Sequence, residues 1–274
     1  MQSAKAIPQQ GERIQKVLAR GGIGSRREIE GWITEGRIKL NGKTAHLGDC
    51  LKPGDHIHVN GRPIVWEKYA EQPTRVLVYH KPVGEVVSRK DPQNRPTVFT
   101  RLPKLQVGRW INVGRLDINT SGLLLFTNNG ELANRLMHPS SVIDREYAVR
   151  VLGDVKDEVI ERLKAGIELE DGPAKFNDVQ FYGGEGANKW YHVTVSEGRN
   201  RMVRRLWEAV QITVSRLMRI RYGPIILPEG VKVQSHYEMT PKELDKLLEF
   251  VGLPKQTPIF KPDEADKQPW KKRF

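Results

Sequence analysis

The sequence is poor in the residues that several common chemistries need. Cys50 is the only cysteine in 274 residues, so no disulfide and no thiolate metal cluster can form within one chain. This fits a reducing cytoplasm. No hydrophobic run approaches the roughly 20 residues that span a bilayer. Residues 1–10 hold no apolar core of signal-peptide length. The expectation is a cytoplasmic protein with no membrane partner. No glycine-rich phosphate loop or serine-nucleophile motif is present, which disfavours an ATPase or a hydrolase. His56 and His58 alternate along one strand without further ligand spacing, and they read as surface residues rather than a metal site. Acids are in deficit as well. Asp and Glu number 33 against 45 Lys and Arg, and the sequence pI is about 9.7. That balance favours a polyanionic partner, nucleic acid first.

What is present suits a soluble globular chain: 38% hydrophobic and 28% charged residues, at a length that allows one sizeable domain and a small one. Residues from Glu12 to Trp66 read as a compact helix-then-strand module. The polar stretch from Glu67 to Thr74 reads as a linker, and residues from Arg75 to Val251 as the main body. The polar, proline-bearing tail 254–274 is expected to be mobile.

In the first module, Ile14, Val17 and Leu18 recur at helical spacing, and Gly21-Gly22 breaks that helix. Ser25-Arg26-Arg27-Glu28 is a capping box that opens a second helix, whose buried stripe is Ile29, Trp32 and Ile33. Strands follow at Arg37–Leu40 and Asp55–Val59, each ending in Asn-Gly, a strong hairpin signal. Arg26 and Arg27 occupy the first helical turn, where the dipole disfavours cations. Two solvated arginines would cost a few tenths of a kcal/mol there, whereas a phosphate would turn the same position into a binding site.

The module resembles the alpha-L RNA-binding motif. The resemblance is carried in order by residues 13–19, Gly24-Ser25-Arg26-Arg27-Glu28, residues 36–42 and Leu51-Lys52-Pro53-Gly54-Asp55. It implies that Lys16, Arg26 and Arg27 lie on a face that holds structured RNA.

The main body opens with a strand at Arg75–Tyr79 followed by Lys81-Pro82-Val83-Gly84. Its most distinctive stretch is Gly114-Arg115-Leu116-Asp117-Ile118-Asn119-Thr120-Ser121-Gly122, a polar loop, which runs into a buried strand Leu123–Thr127. A helix from Glu131 to His138 comes next, with Asn128 as a candidate cap. Asp117 stands in the loop with no acid or histidine beside it, which argues against a glycosidase-like carboxylate pair. Taken alone, such a residue reads as a turn former or ion-pair partner.

The loop resembles the aspartate motif of pseudouridine synthases, in the branch that acts on ribosomal RNA and carries an N-terminal alpha-L module. Arg145-Glu146-Tyr147-Ala148-Val149 is similar to the tyrosine motif of that family. Residues 197–206, Glu-Gly-Arg-Asn-Arg-Met-Val-Arg-Arg-Leu, are similar to its arginine-bearing motif. Lys90-Asp91-Pro92, Arg109-Trp110-Ile111, residues 183–186 and Trp207-Glu208-Ala209-Val210 are similar to the large-subunit members. The small-subunit members share the core motifs.

The resemblance implies an α+β fold: an alpha-L type domain over 12–70, then a catalytic domain over 75–251 built on a mixed, mainly antiparallel sheet. It also implies a cofactor-free isomerase. Asp117 would attack the target uridine, at the base ring or at C1′ of the sugar. Arg204 would hold the Asp117 carboxylate by a charge-assisted bond. Tyr147 would stack on the uracil and take part in the final C5 deprotonation, and Val203 would pack beneath the base or beneath Tyr147. Arg115 would fill the space that the extruded base vacates or hold a phosphate.

Between Arg199 and Arg221 stand seven arginines (199, 201, 204, 205, 216, 219 and 221) and one acid, Glu208. That composition suggests an RNA-facing surface, with Arg199 and Arg201 as substrate contacts. The expected partner is ribosomal RNA or a ribosome assembly intermediate, with nothing demanding more than a monomer. The alternative of another class is a non-catalytic RNA-binding assembly factor of the same fold.

Overall fold

A computed structural model describes residues 11–69 and 72–256, so most of the 254–274 tail lies outside the described residues. The chain divides into two compact units. One is formed by the described residues up to Thr74 together with Pro103–Ile111 and Asn128–Gly130. The other is formed by Arg75–Leu102, Asn112–Thr127 and the described residues from Glu131 onward.

The first unit begins with α1 (Ile14–Arg20) and α2 (Arg26–Thr34). The Ser25 hydroxyl accepts from the Glu28 amide at 3.1 Å, and the Glu28 carboxylate accepts from the Ser25 amide at 2.7 Å, so the capping box is complete. Strands β1 (Ile38–Leu40), β2 (Lys43–Thr44), β3 (Ile57–Val59) and β4 (Arg62–Ile64) form a small antiparallel sheet in the order β2-β1-β3-β4. Asn41 and Asn60 take positive φ of 50° and 51°, as the two-residue turns of tight hairpins require. Ile14, Val17, Leu18, Ile29, Ile38 and Trp66 form the centre of this core.

The stretch read as a linker is not one throughout. Residues Glu67–Tyr69 make a 3-10 turn, and Tyr69 is buried in the core of the first unit. Its ring packs so closely on Gly21 that an added Cβ there would lie 2.4 Å from it. The polarity of Glu67 and Lys68 hid one aromatic anchor.

The second unit is built on β5 (Val76–Lys81), β6 (Ser121–Thr127), β7 (Arg145–Leu152), β8 (Asp178–Gly183), β9 (Asn188–Val195), β10 (Thr213–Tyr222) and β11 (His236–Glu238). Its helices are α3 (Gly130–Met137), α4 (Asp157–Ala165), α5 (Met202–Ala209) and α6 (Pro241–Phe250). The sheet path is β8-β9-β7-β10-β6-β5-β11. All of these pairings are antiparallel except β10 with β6, so the fold is α+β with a mixed, mainly antiparallel sheet.

Leu123, Leu124, Leu125 and Phe126 are all fully buried. A strand covered on both faces reads as such a continuous apolar run, and each of these side chains contributes about 1.5–3 kcal/mol. β6 is thereby fixed in the sheet interior, and the loop that precedes it is held at the N-terminal end of this central strand. Arg75 clamps Glu238 with two bonds of 2.6 Å, which ties the start of β5 to β11. Asn128, read as the cap of α3, gives its side-chain amide to the Pro73 carbonyl, and α3 starts at Gly130.

Candidate active site

Asp117 sits in a tight turn immediately before β6. The Thr120 amide donates to the Asp117 carbonyl at 3.0 Å. Every carbonyl of the turn is taken by a donor from another element. Lys81 Nζ donates to the Asp117 carbonyl at 3.0 Å and to the Thr120 carbonyl at 2.8 Å. The Gly84 amide donates to the Ile118 carbonyl at 2.8 Å. Arg204 Nη2 donates to the Asn119 carbonyl at 2.9 Å. The backbone is thus held from the end of β5 and from α5, and the half-buried Asp117 side chain rides on a fixed frame.

Two of these donors are cationic and buried. Lys81 is fully buried, with its third bond to the Pro82 carbonyl. Burial pushes its ammonium down to about 8, against the attraction of Glu85 and Asp117. Arg204 is 8% exposed, and burial and the neighbouring Arg201 lower its pKa while Asp117 and Glu208 oppose the shift. Arg204 also donates to the Val214 carbonyl at 3.1 Å.

The expected Arg204–Asp117 bond is therefore corrected. No ion pair joins the two side chains among the described residues, because the guanidinium reaches main-chain carbonyls on either side. Arg204 bears on Asp117 through the field of its charge and by fixing residue 119. Arg204 Nε and Thr120 Oγ1 are buried without a partner among the described residues.

Tyr147 reaches this region through the sheet. On β7 it faces Arg219 of β10, and Arg219 faces Gly122 of β6. With strands about 4.8 Å apart, Tyr147 and the end of the Asp117 turn lie two strand spacings from each other. Gly122 has φ of +103°, and a Cβ would stand 2.2 Å from the Arg219 carbonyl, so only glycine allows this crossing. Val203, buried on α5, and Tyr147 pack on the same apolar cluster. Asp117, Arg204, Tyr147 and Val203 are thus drawn together by β6, α5 and β7. Arg115 is exposed two residues before Asp117.

Residues 75–209 match the family model described as RNA pseudouridylate synthase, and residues 12–57 match the S4 domain. The chain is 57% identical to ribosomal large subunit pseudouridine synthase B of Escherichia coli (strain K12), over 90% of this chain and 85% of that protein. This chain belongs to the RNA pseudouridylate synthase family.

A second relative of that name, from Pseudomonas aeruginosa, is 60% identical over 89% of this chain, which spans 63% of that protein's length. A solved structure described as a pseudouridylate synthase superposes with a TM-score of 0.60 at 25% identity, covering 86% of this chain and all of that one.

Within the family fold, the arginine run is not the unpaired surface that its composition suggests. Arg199 pairs with Glu197 at 2.9 Å and with Asp171 at 3.2 Å, and it donates to the carbonyls of Gly172 and Pro173. Arg205 binds Asp171 through two bonds of 2.8 and 2.9 Å. Arg221 takes Glu146 at 2.7 Å, Arg201 takes Glu208 at 3.2 Å, and the buried Arg219 donates to the Leu123 carbonyl. Asp171 and Glu146 come from distant parts of the sequence, so counting acids within the run missed them. Arg216 is exposed, with no partner among the described residues.

In the S4 unit, Arg26 and Arg27 are exposed at the start of α2, with no ion pair among the described residues. Lys16 is held by Glu12 at 3.0 Å. Burial would raise the Glu12 carboxyl, but Arg20 and Lys16 bring it below its ordinary value. The sequence reading missed Arg109, which lies within electrostatic range of Arg26 and Glu28 and whose pKa burial lowers. It missed Lys81 as well. The only signal for Lys81 was a lysine ending an otherwise apolar strand.

Proposed function

We propose that this chain converts a uridine of large-subunit ribosomal RNA to pseudouridine, with Asp117 as the attacking group. The observation that carries the reading is the Asp117 turn, held at all four carbonyls and flanked by the buried charges of Lys81 and Arg204, in a chain 57% identical to a large-subunit pseudouridine synthase. Fixed orientation of a carboxylate is what covalent or ion-pair catalysis needs.

The target nucleotide leaves its stack, at a cost of a few kcal/mol, and the Asp117 carboxylate attacks C1′ or the base ring. The N1–C1′ bond breaks, the uracil turns in the site, and a C5–C1′ bond forms. On the C1′ route the new C5–C1′ bond displaces the carboxylate, and on the ring route the carboxylate leaves the ring once that bond has formed. The C5 proton is then lost, and N1, freed from the sugar, takes up a proton. Bonds are exchanged within one nucleotide with no net redox change, so the scheme calls on no electron carrier.

Tyr147 stacks on the uracil and assists the loss of the C5 proton. Val203 lies beneath the ring, and Arg115 enters the vacated space. Arg199 keeps the Asp171–Pro173 turn in place beside the RNA, and Arg201 offers its remaining donors to phosphate. Lys16, Arg26 and Arg27 hold a structured part of the same RNA. The enzyme acts in the cytoplasm as a monomer.

The test is tritium release from C5-labelled uridine in large- and small-subunit ribosomal RNA, with wild type and Asp117→Ala. Release from large-subunit RNA by wild type only is the expected result. Release from small-subunit RNA alone keeps the chemistry and moves the substrate. Binding without release in either RNA or in assembly intermediates overturns the enzyme in favour of an assembly factor.

A further inference from the structure

Strands β8, β9, β7 and β10 lie side by side, and one of their faces packs on α4 and α5 through Val149, Val193, Leu163, Leu206 and Trp207. The opposite face carries exposed Arg216 and half-buried Arg150, Trp190, His192 and Met218 around the buried Ala148. Along β9, Tyr191, Val193 and Val195 are buried, whereas Trp190, His192 and Thr194 between them are partly exposed. The register builds cross-strand rows on that opposite side. Arg216, Arg150 and Trp190 stand in one row, and Met218, Ala148 and His192 in the next, about 7 Å away, two residues along the strands.

Three features of these rows fit no function described so far. First, Arg150 and Arg216 face each other directly across neighbouring strands, where like charges repel and destabilise the sheet. Arg150 donates to the neutral Ser215 hydroxyl at 2.9 Å. Glu146, on the same face one row beyond Ala148, is already bonded to His192 at 3.2 Å and to Arg221 at 2.7 Å. Asp178, opposite Thr194 at the far end, accepts from Gln180. Among the described residues, the arginine pair thus has no carboxylate of its own on this face. Second, Tyr182 is 71% exposed and lies flat on His192, with ring centroids 4.1 Å apart and planes 8° apart. Third, Arg150 sits over the Trp190 ring at 5.9 Å. Tyr182 is exposed and Trp190 is half-buried on this face, and each leaves part of a flat ring open to a partner. Rings at strand spacing beside paired arginines match what single-stranded nucleic acid requires: flat faces for bases and cations for phosphates.

We infer that this sheet face binds a single-stranded segment of RNA, with bases on Tyr182 and Trp190 and phosphates on Arg150 and Arg216. This second contact surface lies on the side of the sheet away from α5. It shares with the proposed function only the nature of the polymer. An acidic protein surface is the competing occupant, but it offers no flat partners for the rings.

The experiment uses the full chain and a fluorescein-labelled 12-nucleotide oligouridylate, with binding read by anisotropy at about 100 mM salt. Tyr182→Ala and Arg216→Gln are each expected to weaken binding about tenfold or more, with thermal melts unchanged. Tyr182→Phe is expected to bind like wild type, since it keeps the ring. A 4-thiouridine oligonucleotide should cross-link to the peptides bearing Tyr182 or Trp190.

Affinities equal to wild type in both variants overturn the inference. So do cross-links that map only elsewhere, or a variant effect on self-association without one on RNA. If the chain forms no pseudouridine in any ribosomal RNA yet Tyr182→Ala still loses oligouridylate, the proposed function fails and this surface stands. If tritium is released and both variants bind oligouridylate normally, the proposed function stands and this surface fails.

Discussion

Lys81 Nζ donates to the main-chain carbonyl of Asp117 at 3.0 Å, and its other two bonds also go to carbonyls. A fully buried lysine that spends all three donors on backbone is a strut for the turn, and its charge lies beside the carboxylate that turn carries. Lys81→Met keeps much of the volume and removes the strut. Removing a buried charge relieves desolvation, which offsets part of the lost bonding, so the melting temperature should move little. The turn is no longer held, and misplacement by about 1 Å is worth on the order of 100-fold. Single-turnover kinetics should show kcat down by about that factor with RNA affinity near wild type. A parallel collapse of stability would make Lys81 a folding residue only.

The same lysine sets a pH dependence. Its folded pKa is lowered to about 8 from 10.5. Between those values the unfolded chain holds more protons, so this group's contribution favours folding increasingly as pH rises. Activity should go the other way. Above about pH 8 the amine is neutral, one carbonyl loses its donor, and the charge beside Asp117 disappears. The rate of tritium release should fall on an alkaline limb near pH 8, without loss of the Lys81 contribution to stability. Lys81→Met should lack that limb.

Arg204 holds the other side of the turn, through Asn119, while bonding Val214 of β10. Arg204→Lys cannot span two carbonyls with a planar fork, and kcat should fall about 10- to 100-fold. Because Lys81 and Arg204 fix the same turn, their effects should not add. A double-mutant cycle on kcat should give a coupling of about 1 kcal/mol or more, within the range for residues that share one structure. Additivity within about 0.5 kcal/mol would separate their roles.

Structure decided by near neighbours is legible in this sequence, and structure decided by distant ones is not. The capping box at Ser25, the Asn-Gly turns and the apolar run of β6 are each decided by neighbours within a few residues. The Asp117 motif could be read as a motif. What holds it could not, because Lys81, Gly84 and Arg204 lie 36, 33 and 87 residues away in the sequence. A lysine also reads as solvated until its strand is seen to end inside the protein. The arginine run looks unpaired in the sequence for the same reason. Asp171 meets Arg199 and Arg205 only once the chain from Gly172 through β9 has turned back, and Glu146 meets Arg221 only across the β7–β10 pairing. Tyr69 shows the converse error, a single buried ring concealed by polar neighbours.

Gly122 tests the sheet crossing beside the site. Its φ of +103° disfavours any side chain, and a Cβ would stand 2.2 Å from the Arg219 carbonyl and 2.7 Å from its amide nitrogen. Both are backbone atoms of a central strand and cannot yield cheaply. Gly122→Ala should cost several kcal/mol, above the roughly 1–3 kcal/mol of dihedral strain alone. That predicts a drop of at least about 10 °C in melting temperature, or an insoluble product. A variant melting like wild type would show that β6 and β10 can separate locally.

Arg26 and Arg27 carry a prediction in which binding and stability part company. Both are exposed in the first turn of α2, where cations oppose the helix dipole. If they are there for RNA, Arg26→Gln with Arg27→Gln should weaken binding to ribosomal RNA and reduce the slope of log affinity against log salt by about 2, one for each phosphate no longer neutralised. The helix itself should be unchanged or more stable by a few tenths of a kcal/mol, because the Ser25–Glu28 box remains. Salt-titrated binding and a thermal melt on the same protein decide the matter. A lower melting temperature with an unchanged salt slope would make the two arginines structural and would move the RNA contact of this unit elsewhere, with Arg109 beside Arg26 as the next residue to replace.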